Sequence, residues 1–269
     1  MLGSSRESLA SVRESLDARR NEPGFDAVSN DLFAVADLLG REKTLRVALA
    51  DAGQPADGRA ALAASVLGSR ISPLTLDVVS DTVRRRWSNA SDLVSAIEIQ
   101  ATQAAFTVAE ADGTLGNVEE ELFRFGRAID SSADLQMALT APSTPAATKA
   151  GVVRSLLEGR VTPATLSVLE YTASHLRGRR ADTAVDELSE LAAAQRNRVV
   201  AEVRVAAPLN DEQQRRLTEA LSRLKGRKVQ LNVAIDPTVI GGIAVRVGDE
   251  VIDGTVAARL EQARRTIAG

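Results

Sequence analysis

The chain has 269 residues, 44% of them apolar and 26% charged, with a formal net charge of -3 and no cysteine. That length allows two or three domains, the charge balance gives no electrostatic case for nucleic acid, and disulfide and thiol chemistry are excluded. Aromatic residues make up only 3%, so alanine, leucine and valine must fill the core, which suits closely packed helices.

The N-terminal residues Met1-Leu-Gly-Ser-Ser-Arg-Glu7 lack the apolar stretch of a signal peptide. No run approaches the length of a membrane-spanning helix, so no direct membrane insertion is expected. Residues 1 to about 22 read as a helix through Leu9, Val12 and Leu16, ended by Pro23-Gly24. A second helix carries Phe25, Val28, Leu32, Val35, Leu38 and Leu39 and closes at Gly40. A short third covers Lys43 to Ala50, and a fourth runs from about Arg59 to Leu67. Ser72 caps a fifth, with Pro73 in its first turn and Leu76, Val79 and Val83 in line. Asn89 to Asp112 has no breaker and reads as one long helix joining two domains.

The pattern then repeats. Ser65-Val-Leu-Gly-Ser-Arg-Ile-Ser-Pro-Leu-Thr-Leu76 matches Ser155-Leu-Leu-Glu-Gly-Arg-Val-Thr-Pro-Ala-Thr-Leu166, with Pro163 standing 90 positions after Pro73. The same offset pairs Leu32-Phe33 with Leu122-Phe123, Leu45 with Leu135, Ala48-Leu49 with Ala138-Leu139, and Pro55-Ala56 with Pro145-Ala146. One offset kept through loops, caps and core positions marks a duplicated helical bundle. The expected fold is mainly α: two tandem bundles, copies of a six-helix domain, then a small α/β domain. The divisions fall at 1–90, 91–197 and 198–269.

From Val199 the period changes to two. Val199, Ala201, Val203 and Val205 alternate with polar or smaller residues, as do Val229, Leu231, Val233 and Ile235. Between them Asn210 and Gln213 form a capping box for a helix with Leu217, Leu221 and Leu224 on one face. Ile243, Val245 and Val247 make a third strand. Gly248-Asp249 turns the chain, Val251 and Ile252 return to the core, and Thr255 opens a last helix through Val256, Leu260, Ala263 and Ile267.

The stretch Ile240-Gly241-Gly242, Arg246, Gly248-Asp249 and Val251-Ile252-Asp253-Gly254, with Arg259-Leu260 beyond it, resembles the C-terminal motif of the delta subunit of F-type ATP synthases. That subunit is the bacterial counterpart of the mitochondrial oligomycin-sensitivity-conferring protein. The motif residues Gly241, Gly242, Arg246, Gly248, Asp249, Asp253 and Gly254 read as structural, shaping a hairpin and a helix start. The resemblance extends from about Ile97 to Gly269, with Ala104-Ala105-Phe106 where the family's first helix has an Ala-Phe pair. Ile99-Gln100-Ala101-Thr102 departs from the Arg-Tyr-Ala the family has just before it. The added N-terminal copy resembles actinobacterial versions of the subunit.

The sequence shows no catalytic constellation, and neither a cofactor nor a metal is expected. His175 is the single histidine and stands on a predicted helix, where a structural role is favoured. The GxxxxGK[ST] phosphate loop, Gly-x-Ser-x-Gly and His-Glu-x-x-His are missing. Arg84-Arg85-Arg86 and Arg177-Gly-Arg-Arg180 end equivalent helices, where cations complement the helix dipole. Glu119-Glu120-Glu121 suits a helix's first turn.

The resemblance implies a non-enzymatic peripheral-stalk subunit at the cytoplasmic face of the bacterial plasma membrane. Its partners would be the N-terminal helices of the head alpha subunits and the b subunit. The alpha helix would enter a groove between the second bundle's first and fifth helices, at Ala105, Phe106, Ala109, Leu166, Leu169 and Tyr171. The duplicated bundle would offer another grip on the head or on a b chain. The other reading is a helical-repeat adaptor unrelated to the synthase.

Overall fold

The computed structural model describes residues 3–196, 199–225, 229–236, 239, 241–247 and 250–253. Contacts divide the chain into two compact units, Met1–Gln195 and Arg196–Gly269. The first is all helix: α1 (Ser4–Ala18), α2 (Phe25–Arg41), α3 (Lys43–Ala50), α4 (Ala56–Leu67), α5 (Pro73–Arg84), α6 (Ala90–Ala111), α7 (Leu115–Ser131), α8 (Ala133–Thr140), α9 (Ala146–Leu157), α10 (Pro163–Ser174) and α11 (Ala181–Arg196). Both ends of α7, α8, α9 and α10 fall 90 positions after those of α2, α3, α4 and α5. The position between residues 90 and 91, expected as a domain division, lies at the start of α6 inside this unit. One continuous core runs from Val12 to Ala192 through both copies.

The repeat is kept down to single hydrogen bonds. Ser72 caps α5 by accepting the Thr75 N–H at 3.2 Å, and Thr162 caps α10 by accepting that of Thr165 at 3.3 Å. Asp31 accepts from Ser72 N and Thr75 Oγ1, both at 2.9 Å. Its counterpart Glu121 accepts the Thr162 N–H at 3.0 Å and the Thr162 hydroxyl at 2.9 Å. Each carboxylate therefore ties the second helix of its copy to the N-terminus of the fifth, where a negative charge meets the positive end of the dipole. Glu119, Glu120 and Glu121 do not lie in the first turn of α7, which begins at Leu115, so the dipole of their own helix is not what Glu121 serves. The fourth helix also starts earlier than its apolar pattern suggests, at Ala56 directly after Pro55.

Arg59 is 4% exposed. Its guanidinium donates to the carbonyls of Val83 (2.7 Å), Arg84 (2.8 Å) and Arg85 (3.2 Å), and to those of Asp51 (3.1 Å) and Gln54 (2.6 Å). The orphan carbonyls at the end of α5 are thus closed by one buried cation from α4. Arg84, in the last turn, points instead to Asp57 and Asp81. Trp87 follows, 5% exposed, with its indole N–H on the Thr82 carbonyl at 3.0 Å.

The second unit is a four-stranded sheet in the order β2-β1-β3-β4, from β1 (Val199–Val205), β2 (Val229–Ile235), β3 (Ile243–Val247) and β4 (Glu250–Asp253), with α12 (Asp211–Lys225) connecting β1 to β2. β1 pairs with β2 in parallel and with β3 antiparallel, placing Val203 opposite Val245 and Ala201 opposite Val247. Ala201, Val203, Val205, Val245 and Val247 form the buried face together with Leu221 of α12. The capping box forms in both directions: Asn210 N–H to Gln213 Oε1 at 2.9 Å, and Gln213 N–H to Asn210 Oδ1 at 2.8 Å. Three residues read as core are exposed: Ile235 at 58%, Val251 at 61% and Ile252 at 38%. Val251 shares the solvent face of its partner Arg246, while Ile235 and Ile252 sit on β2 and β4, the edge strands, where half the neighbours of an inner strand are missing. The turn residues Gly248 and Asp249, Gly254 and the helix expected from Thr255 through Val256, Leu260, Ala263 and Ile267 lie outside the described residues.

The two helical copies differ where one covers the other. Phe33 of α2 is 7% exposed because its ring stacks on Tyr171 of α10, with centroids 4.2 Å apart at 25°. Phe123, its counterpart on α7, is 65% exposed. Equal sequence positions therefore carry unequal energies. Phe33→Ala is expected to destabilise the helical unit by about 3 kcal/mol, the usual range for removing a buried ring. Phe123→Ala should shift it by less than about 0.5 kcal/mol. Urea unfolding followed by the fluorescence of Trp87, the single tryptophan, measures both.

Candidate partner-binding cleft

The cleft is built around α6. Asn89 caps this helix by accepting the Asp92 N–H at 2.9 Å, and no glycine or proline interrupts it. It has buried residues on every side, among them Leu93, Ile97, Ala101, Ala104 and Phe106. Its buried amides are satisfied by the first copy. Gln100 accepts from the Thr82 hydroxyl at 2.9 Å, and Gln103 accepts from Arg13 Nε at 3.0 Å while donating to Asp17 at 2.7 Å. Near its C-terminus Glu110 receives Arg20, from the turn after α1, at 2.7 Å and Gln195 of α11 at 2.9 Å. The last helix of the first copy is therefore also the first helix of the second.

This double use decides which part of α6 stays open. Ala105, Phe106 and Ala109 are 6%, 1% and 2% exposed, and Leu169 of α10 is 1% exposed. These four lie in the core. Leu166 and Tyr171 are half-buried and line open space. The accessible stretch of α6 is its N-terminal half, with Ser91, Ser95, Glu98 and Ile99. Together with Tyr171 and His175 at the end of α10, and Leu188 and Leu191 of α11, these residues line a cavity of about 420 Å³. A second cavity of about 580 Å³ lies between α2 and the α9–α10 pair, and includes Leu166 and Asp37. Phe33 and Tyr171 border both.

Glu98 organises the polar edge. It accepts from the Tyr171 hydroxyl at 2.8 Å and from the Arg177 guanidinium. Burial, reinforced by the charge and the hydrogen bond of Glu98, pushes the Tyr171 phenol well above the usual tyrosine range. Arg177 itself holds a left-handed backbone, φ 51°, next to Gly178. Arg179 meets Glu187 at 2.5 Å on the opposite lip. The floor is apolar and the rim is charged and paired, which suits an amphipathic helix laid across it. His175 is the cap residue that ends α10, not a residue within it, and its ring stacks on Tyr171. No group of three His, Cys, Asp or Glu side chains placed to hold a metal occurs among the described residues.

The motif residues of the second unit are distributed along one hairpin. Gly242 has φ 84°, a conformation that only glycine adopts without strain, just before β3. Gly241 precedes it, Arg246 is exposed on β3 opposite Glu202 and Val251, and Asp253 closes β4. Sequence reasoning missed the α6 residues Ser91, Ser95, Glu98 and Ile99, and Phe33 of the first copy. The polar Ser91, Ser95, Glu98 spacing at four and three residues was the signal available for the former. Nothing local in the sequence pairs Phe33 with Tyr171.

The comparisons with known proteins cover the whole chain. A family model described as the ATP synthase delta (OSCP) subunit matches residues 100–267. The match starts inside α6 and so takes in the second copy and the sheet unit. The ATP synthase subunit delta of Streptomyces griseus is 46% identical over 271 residues, covering 100% of both chains. That of Parafrankia sp. is 46% identical over 275 residues, covering 98% of this chain and 99% of the relative. That of Thermobifida fusca is 40% identical over 269 residues, again covering 100% of each. These relatives share the first copy as well. A chain in a cryo-EM structure of the Toxoplasma gondii mitochondrial ATP synthase hexamer matches 64% of this chain and 97% of its own length at 19% identity, with a TM-score of 0.28. With a family model over more than half its length and full-length relatives at this identity, the chain belongs to the ATP synthase delta (OSCP) subunit family.

Proposed function

We propose that this chain is a non-catalytic subunit of the F-type proton-translocating ATP synthase. In this reading it is part of the peripheral stalk. It joins the N-terminal helices of the head alpha subunits to the b subunit, so that the head does not turn with the rotor. It reaches the cytoplasmic face of the bacterial plasma membrane through the complex; no described helix is long and apolar enough to cross a membrane. The observation that carries the reading is full-length identity of 46% to a protein named ATP synthase subunit delta. No observation favours an unrelated helical-repeat adaptor.

The alpha helix is assigned to the cleft of α6, α10 and α11. Ala105, Phe106, Ala109, Leu169 and Leu188 act from beneath as packing, while Tyr171 meets the guest alongside Ile99 and Leu191, and Leu166 faces the neighbouring cavity beside α2. The sheet unit, with its Gly241, Gly242, Arg246, Gly248, Asp249, Asp253 and Gly254 motif, is assigned to the b subunit. For the first copy the favoured role is a wall, not a second grip, because α1 and α2 are spent on covering α6 and α10. Co-purification of the tagged chain with the membrane ATPase tests the assignment to the complex; recovery of the chain without any ATPase subunit would end it.

Two further outcomes are expected. A synthetic peptide of the alpha N-terminus should bind the full chain, and Ile99→Asp with Leu191→Asp, both half-buried at the cleft, should weaken it at least about tenfold, since apolar anchors buried on binding carry most of the energy of such a contact. Calorimetry checks this, and unchanged affinity would remove the cleft from the proposal. Tyr171 is the single tyrosine, so phenolate absorbance at 295 nm reports on the cleft alone. Its folded-state pKa is raised, so its share of stability is complete below the unfolded value of about 10 and is lost as pH rises above it. Phenolate absorbance should therefore appear together with alkaline unfolding, followed by Trp87 fluorescence, and not as a separate titration near pH 10.

A further inference from the structure

The seam between the two copies contains one ring with both nitrogens committed. His175 Nδ1 lies 2.9 Å from the carbonyl oxygen of Tyr171, and Nε2 lies 3.2 Å from Asp37 Oδ1 on α2. The ring is held in place by stacking on Tyr171, with centroids 4.1 Å apart at 12°. Tyr171 stacks in turn on Phe33. A carbonyl can only accept, and so can an ionised carboxylate. A neutral imidazole has one N–H. With that proton on Nδ1, the Nε2 lone pair faces a carboxylate oxygen. Only the imidazolium makes both contacts hydrogen bonds.

We propose that His175 and Asp37 form a proton-operated latch between the two helical copies, closing the seam when His175 takes up a second proton and loosening it when that proton leaves. The latch goes beyond the stalk reading and does not depend on it. The charges around the ring leave Asp37 as its counter-ion. On α2, Arg41 holds the other oxygen of Asp37, at 2.5 Å to Oδ2, and leaves Oδ1 to the histidine. On α6, Glu98 is taken by Tyr171 and Arg177. Arg154 of α9 pairs with Glu170 of α10 at 2.7 Å, and Arg179 with Glu187 of α11 at 2.5 Å, while Glu158 borders the cavity from the end of α9. Tyr171 stays neutral. Closing the latch presses α2 onto α10 beside the cleft, so acidification stiffens one of its walls.

The test uses the full chain, in which His175 is the single histidine and its ring nitrogens are assigned without ambiguity. At pH 8, ring 15N shifts should show the neutral ring carrying its proton on Nδ1. A proton on Nε2 would overturn the latch, because Asp37 would then be served by the neutral form. The second measurement is a double-mutant cycle of Asp37→Asn and His175→Gln, read by urea unfolding at pH 5.5 and pH 8. The coupling should be about threefold in the folding equilibrium at pH 5.5, the scale of a partly exposed ion pair, and absent at pH 8. Equal coupling at both pH values, or none at pH 5.5, would also overturn it.

Discussion

The structure depends on the two-sided burial of α6. A helix at the surface of a bundle keeps one polar face. α6 cannot, because it closes the first copy and opens the second, so Leu93, Val94, Ala96, Thr102, Gln103 and Phe106 spread its buried positions around the circumference. The polar groups that remain on it, Gln100, Gln103, Thr107 and Glu110, are satisfied by side chains from α1 and the turn after it, α5 and α11. An unpaired buried amide costs about 1–3 kcal/mol. The partners of these amides are therefore as necessary as the apolar packing, and they tie the two copies into one body. A duplicated domain joined by a free linker would let each copy rotate separately. Sharing a helix removes that freedom.

The same sharing breaks the symmetry of the duplication. The offset of 90 residues survives in helix ends, in the Ser72 and Thr162 caps, and in the Asp31 and Glu121 clamps. It fails at the contact between the copies, since a face used once cannot be used twice. α2 meets α10 through Phe33, Asn30 and Asp37, whereas α7 leaves Phe123 to solvent. Tyr171 and His175 are replaced in the first copy by Asp81 and Arg85, which offer no aromatic ring. The stacking contact therefore stops after one step instead of propagating from chain to chain.

What the sequence made legible was everything that repeats locally. Apolar spacing located the helices, Ser72-Pro73 and Asn210 with Gln213 located helix starts, and alternation located β1 and β3, because each is set by neighbours within a few residues. The misplaced expectations arose where a distant partner or its absence decides. Ile235 and Ile252 have the pattern of core strands, but strand order places them at the edges, and strand order is not written in a single strand; Val251 is set on the outer face by its register with Arg246. Arg59 looks like any surface arginine until its five carbonyl partners from two segments converge on it. For the cleft, family likeness pointed to α6 and α10, and the structure buries the α6 residues it named. Ala105, Phe106 and Ala109 read as a groove face when the second copy is considered alone. They are buried once the first copy is added.

Under the proposed stalk role, the joint has to resist bending at its weakest contact, and the order of contacts indicates where that is. Within each copy, helices are held by dry apolar packing and by clamps to helix termini. Across α6, the copies share backbone, which is stiffer still. The remaining seam, between α2 and α10, is different in kind: three stacked rings flanked by half-exposed polar groups, with cavities on both sides. Packing that borders open space forfeits part of its dispersion energy and can shift without breaking a buried hydrogen bond. Compliance in the helical unit is therefore concentrated at Phe33, Tyr171 and His175. That places the most adjustable contact of the unit next to the cleft assigned to the partner helix, so a guest there would be gripped by a wall whose position the seam sets.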